Sequence, residues 1–174
     1  MSAILPLSDG GRVRLLSAGD GPLVLLIHGV GLRAEVWGPQ ADALSSTHKV
    51  LAVDMPGHGE SDPLPSGAAL PDFVAWAARV IDALALGPIA VAGHSMGALI
   101  AGGLAVTRPD LVARVAMLCP VHRRSASARA AVLARAEALA KGANDIAAPL
   151  ARWFTEAFRL SHPEMMDDVR RWIL

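Results

Sequence analysis

The sequence is poor in several things. It has one cysteine in 174 residues, Cys119, so no internal disulfide can form. That makes a reducing, cytoplasmic setting the expectation. It has no excess of either charge, because 16 basic residues match 16 acidic ones. A nucleic-acid surface needs clustered positive charge, so a nucleic-acid partner is not expected. It has no long apolar run. The longest in a strand-like segment is Leu23 to Ile27, too short to cross a bilayer. Nor does Met1-Ser2-Ala3-Ile4 begin a basic region followed by a long apolar stretch, so no signal peptide is expected. No two of the six histidines have a metal-ligand spacing, which leaves no metal site to expect.

Hydrophobic residues are abundant. They make up 53% of the chain against 18% charged, which excludes disorder and suits a buried sheet covered by helices. Strand patterns fall at Val13 to Leu16, Leu23 to Ile27, Val50 to Val53, Ile89 to Ala92 and Val115 to Leu118, with an earlier one near Ala3 to Leu7. Leu23 to Ile27 does not alternate, so both faces should be buried, as in a parallel sheet. Helical patterns lie between the strands. Pro71 suits a first turn, Phe73, Ala77, Val80 and Leu84 share a face, and Gly87-Pro88 suits an exit. Gly97 to Thr107 is apolar and small, so that helix should be buried all round. This order predicts an α/β fold with a doubly wound, mostly parallel sheet.

The texture changes after Pro120. Three helical patterns and no strand follow. Val132, Leu133, Ala136 and Leu139 line the first, which Gly142 ends. Ile146, Leu150, Trp153, Phe154 and Ala157 line the second. The third opens at Pro163 and carries Met165, Met166, Val169, Trp172 and Ile173. The expectation is a core over residues 1–122 and a helical lid over 123–174. The third helix runs to an apolar end, Trp172-Ile173-Leu174, without a stop signal, so the lid is expected to be incomplete.

Three motifs carry chemistry. Gly93-His94-Ser95-Met96-Gly97 matches G-x-S-x-G, a pattern that chance alone supplies in roughly one chain in twenty of this length. Its position, directly between a strand and a helix, adds the context that the pattern needs. A serine in such a sharp turn has its hydroxyl pushed above the sheet edge, and a Cβ at either glycine would clash. The helix starting at Met96 aims free N–H groups at developing negative charge. His28-Gly29-Val30-Gly31 follows the most apolar strand. There the Val30 amide can join the Met96 amide around one oxygen, the pair of donors that acyl transfer needs. Asp54-Met55-Pro56-Gly57-His58-Gly59-Glu60-Ser61-Asp62 is a glycine turn assigned to structure.

Together HGVG, DMPGHGESD and GHSMG resemble the α/β-hydrolase superfamily. The likeness is to its capped branch of enol-lactonases, carbon–carbon hydrolases and carboxylesterases, with 3-oxoadipate enol-lactonases preferred. The resemblance implies Ser95 as nucleophile, no cofactor, and a small-molecule ester, lactone or related carbonyl compound as substrate. An acyltransferase stays open, since an acyl-enzyme can pass its group to an acceptor other than water. The family order is Ser, then Asp or Glu, then His. The chain is expected to end before the last two.

The histidines present do not readily replace the missing one. His94 adjoins Ser95, but neighbouring side chains on a strand-turn point apart. His28 belongs to the HGVG loop and His58 to the glycine turn, while His48 and His162 read as surface. His122 follows Val115 to Leu118 at the edge where site loops gather. His28, Gly29, Trp37, His94 and His122 are candidates for a substrate pocket, with Met96 beside them. Arg123-Arg124 reads as a solvated helix lead-in or as a receptor for a substrate carboxylate. Cys119 reads as a buried apolar residue. The alternative to an enzyme is a catalytically incompetent fragment or an interaction protein, self-associating through the open apolar edge at Val115 to Leu118.

Overall fold

The computed structural model describes residues 1–85, 87–121, 123–142 and 147–173. The chain forms two compact units, Met1–Val121 and His122–Leu174.

The first unit is a six-stranded sheet. Its strands are β1 (Ser2–Pro6), β2 (Arg12–Ala18), β3 (Leu23–Ile27), β4 (Lys49–Val53), β5 (Ile89–His94) and β6 (Val112–Leu118), in the order β1-β2-β4-β3-β5-β6. Pairing is antiparallel between β1, β2 and β4, and parallel from β4 through β3 and β5 to β6. The fold class is the expected one, with an antiparallel edge. All five residues of β3 are buried, as its unbroken apolar run predicts.

Helices cover both faces. On one side α2 (Leu70–Ala83) and α3 (Met96–Thr107) pack Val80, Ile81, Ile100 and Leu104 onto Leu25, Ile27, Val53 and Val91. Helix α2 is set at its start by the Asp72 carboxylate, which accepts the Ala69 N–H at 2.7 Å. Ala85, at φ 51°, turns the chain out of it. On the other side a 3-10 turn, Ala34–Trp37, leads into α1 (Gly38–Leu44) and seals Val24, Leu26, Val50 and Ala52. Helix α3 is not buried all round. Its sheet face is, but Val106 on the outer face is 81% exposed.

From β3 the chain crosses to β4 on one side and later to β5 on the other. The C-terminal ends of β3 and β5 therefore border a topological switch point, where open α/β sheets place their crevices. At the far edge, β6 pairs with β5 alone among the described strands and exposes Val115, Met117 and Leu118.

The second unit is helical: α4 (Ala126–Ala140), α5 (Ala147–Trp153), α6 (Glu156–Ser161) and α7 (Pro163–Ile173). The expected second helix is two. Thr155 interrupts it, its hydroxyl accepting the Phe158 N–H at 3.2 Å and capping α6. Ile146 lies outside the described residues. Helix α4 buries none of its residues, so Leu133 and Leu139 line no covered face. No helix among the described residues is long and apolar enough to cross a membrane.

Candidate active site

Ser95 stands between the last residue of β5 and the first of α3, at φ 55° and ψ −113°. A non-glycine residue held there costs about 1–3 kcal/mol, so the surroundings must impose it. They do so on three sides. The Ser95 N–H donates to Leu118 O of β6 at 2.9 Å, and its carbonyl accepts the Ala98 N–H at 3.1 Å. Gly93 meets the Gly97 carbonyl, and Gly97 meets the Ile27 and His28 carbonyls, too closely for a Cβ at either position. The side chain is left half-buried, and its hydroxyl does not cap the helix.

The HGVG loop lies against this corner. A Cβ on Gly29 would sit 3.1 Å from Ser95 Cβ and 3.1 Å from His94 Nδ1, tight enough that the loop or those side chains would have to give by a few tenths of an ångström. Gly29 O accepts the His28 Nδ1–H at 2.7 Å and the Leu32 N–H at 3.2 Å. That carbonyl shares one planar trans peptide with the Val30 N–H, so anchoring the oxygen turns the N–H the opposite way. Neither the Val30 nor the Met96 N–H has a hydrogen-bond partner among the described residues.

The loop that carries the Val30 donor is held from behind by two histidines. His28 is fully buried. Its Nδ1 carries the proton given to Gly29 O, and its Nε2 accepts the Met55 N–H at 2.9 Å. Burial pushes its pKa down to about 4, which keeps the ring neutral. His58 repeats the pattern from the DMPGHG turn. Its Nε2 accepts the Gly31 N–H at 3.0 Å, its Nδ1 bonds Pro56 O at 3.1 Å, and its ring meets His28 edge to face at 5.2 Å.

Asp54 anchors the next stretch. Its buried carboxylate accepts the Ala34 N–H at 2.8 Å, the Arg14 guanidinium at 3.0 Å and the Glu60 N–H at 3.3 Å. Arg14 also grips Glu35 with two hydrogen bonds, at 2.6 and 3.2 Å, and Ser61 Oγ bridges the Arg14 N–H and Asp54 O. The bonds from Glu35, against the cost of burial, hold the guanidinium charged. Gly59 has no room for a Cβ beside the Asp54 carboxylate. Arg14 and Glu35 escape a reading of the sequence. The one local signal is a charge at the centre of an apolar strand, Val13-Arg14-Leu15.

The structure sorts the remaining candidates. Gly29 and His94 adjoin Ser95. Burial lowers the His94 pKa, and the ring makes no hydrogen bond to the serine among the described residues. His28 is not a pocket wall, because both ring nitrogens are spent on backbone inside the protein. Trp37 is not one either. It is 5% exposed and packs with Val24, Leu26, Val50 and Ala52. Cys119 is exposed rather than buried, at φ 50° just past β6. Arg123 and Arg124 are exposed ahead of α4. His122 lies outside the described residues. A groove of about 520 Å³ between α2 and α3 includes none of the candidate residues. Among the described residues no three His, Cys, Asp or Glu side chains cluster to hold a metal.

Comparison with known proteins bears on the fold and the family. The sequence profile described as alpha/beta hydrolase fold matches residues 22–159. The chain is 49% identical over 157 residues to (E)-2-((N-methylformamido)methylene)succinate hydrolase of Acinetobacter baylyi, covering 90% of this chain and 60% of that protein. It superposes on the enol-lactonase of Burkholderia xenovorans with a TM-score of 0.83 and 25% identity, covering 98% of this chain and 67% of that one. It superposes on E-2-(acetamidomethylene)succinate hydrolase with a TM-score of 0.74 and 27% identity, covering 99% and 63%. The chain thus spans about three-fifths of the length of the Acinetobacter relative.

Proposed function

The chain belongs to the α/β hydrolase fold family, and from that premise we propose that it hydrolyses a small carbonyl compound through an acyl-enzyme on Ser95. One observation carries the reading. A serine on a strained corner is left half-buried, and the N–H groups of the adjoining Met96 and of Val30, in the loop against that corner, have no partner among the described residues. Two backbone donors left without a protein partner near a nucleophile suit an incoming anion.

In the proposed cycle Ser95 Oγ attacks the carbonyl carbon while its proton passes to a general base. The carbonyl oxygen becomes an oxyanion held by the Val30 and Met96 amides. The bond to the leaving group breaks, the leaving group takes the proton, and an acyl-serine remains. Water then adds to the acyl carbon, its proton passes to the base, and the acid is released as Oγ recovers its proton. No described side chain hydrogen-bonds Ser95 Oγ. In this family the base follows the nucleophile in sequence. The relatives named for methylene-succinates support a carboxylate-bearing amide, ester or enol-lactone as substrate. Residues 123–174 would serve as the lid that shapes its site.

Labelling tests this. The full-length protein should take up one fluorophosphonate per chain on Ser95, and Ser95→Ala should abolish it. No labelling of the wild type would sink the reading.

A second reading rests on the exposed β6. Val115, Met117 and Leu118 are each more than 40% exposed on a strand paired on one side only. Such an edge supports self-association of the 174-residue chain. Sedimentation showing a dilution-independent monomer would count against it.

A further inference from the structure

The HGVG loop is held by two loops' worth of contacts, and the second has no role in the cycle above. Residues 29–32 form a β-turn closed by the Leu32 N–H on Gly29 O at 3.2 Å, with Gly31 at φ 80°. That is the type II pattern, in which the third residue needs a left-handed conformation. Types I and II differ by a flip of the central peptide, here Val30–Gly31. Glycine at position 31 makes both forms accessible, so the sequence of the loop alone does not choose between them. The choice decides which group of that peptide, N–H or carbonyl, faces the DMPGHG turn, and so reverses a dipole directly beside the Val30 amide.

His58 makes the choice. Its Nε2 accepts the Gly31 N–H at 3.0 Å, a bond that the flipped peptide could not form because it would present a carbonyl to the same lone pair. The lone pair is itself placed. Nδ1–H on Pro56 O, at 3.1 Å, leaves Nε2 as the acceptor, and the edge contact with His28 fixes the ring against the residue that holds Gly29 O. We propose that His58 is a positioning residue for acyl transfer at Ser95, locking the Val30–Gly31 peptide so that the oxyanion loop holds one form. This rests on the reading of Ser95 as the nucleophile. The described partners of His58 are Gly31, Pro56 and His28, so it acts on Ser95 chemistry only through the loop.

The experiment compares His58→Leu, which removes the acceptor, with His58→Gln, whose Oε1 can accept the same N–H. Both are made in the full-length protein and followed by the rate of Ser95 acylation, by KM for an ester and by thermal melting. The Leu variant should lose about ten- to a hundredfold in acylation rate with KM within about twofold, less than deletion of an oxyanion donor causes. The Gln variant should regain most of the loss. An unimpaired Leu variant overturns the proposal, as does a Gln variant that falls as far as Leu. Wild type that acylates normally in either case shows that the reading of Ser95 survives. Wild type that never acylates Ser95 removes that reading and this proposal together. If the Leu variant does not fold, hydrogen exchange of the Gly31 amide in the wild type decides. Slow exchange supports the bond, and exchange at the rate of an open loop overturns it.

Discussion

Two neighbouring regions treat polar groups in opposite ways. Behind the HGVG loop nearly every donor and acceptor is used. Buried Asp54 and Arg14 form an ionic cluster with half-buried Glu35, His28 and His58 each bond backbone through both nitrogens, and Ser61 ties Arg14 of β2 to Asp54 just past β4. At the elbow, the Ser95 hydroxyl and the amides of Val30 and Met96 are without partners among the described residues. The first region makes the second affordable. Unpaired groups stay aimed at a vacant position only if the backbone carrying them cannot relax to satisfy them.

Removing the reactive group should have the largest effect. Ser95→Ala should lower turnover on the order of a millionfold while leaving the melting temperature unchanged or raised, since the strained corner holds no other chemistry. Steady-state kinetics and calorimetry on one preparation check both halves. A smaller loss would mean that hydrolysis proceeds elsewhere.

Breaking the supporting region should cost stability instead. Arg14→Met leaves Asp54 and Glu35 without their cation, and a buried charge stripped of its partner typically costs about 3–5 kcal/mol. Urea unfolding measures it. Replacing Arg14, Asp54 and Glu35 together by apolar residues should cost less than the single change, because no orphan charge remains.

A proline at position 30 addresses the free groups alone. It suits the second place of a type II turn and deletes the N–H, so the loop should keep its form while the acylation rate falls about a hundred- to a thousandfold. A Val30→Pro protein that is as fast as wild type would show that this amide receives no charge.

The smallest effect comes from pH. His28 has a pKa of about 4 when folded, against an ordinary 6.5. The unfolded chain therefore binds its proton first as pH falls. The stability His28 contributes is full above 6.5 and is lost progressively between 6.5 and 4, reaching about 2 kcal/mol by pH 5. Denaturant melts at pH 7 and pH 5 should show that loss in the wild type and much less of it in His28→Gln.

The elbow was legible in the sequence because its requirements are local. A glycine on each side of a serine between strand and helix specifies both close approaches, at Gly93 and Gly97. The buried β3 was legible for the same reason. The supporting region was not. Arg14 meets Glu35 at a separation of 21 positions and Asp54 at 40, and no spacing rule reaches that far. His28 and Trp37 were misplaced as pocket residues because a motif fixes where a residue sits in the chain and leaves open which way its side chain turns. The aromatic run Trp153-Phe154 hid the cap at Thr155, since apolar spacing continues smoothly across it.

The most direct test is a crystal structure of the full-length protein with Ser95 phosphonylated. The account predicts the phosphoryl oxygen about 2.7–3.1 Å from both the Val30 and Met96 nitrogens, with the loop otherwise unmoved. An oxygen turned to solvent, or to some other donor, would contradict it.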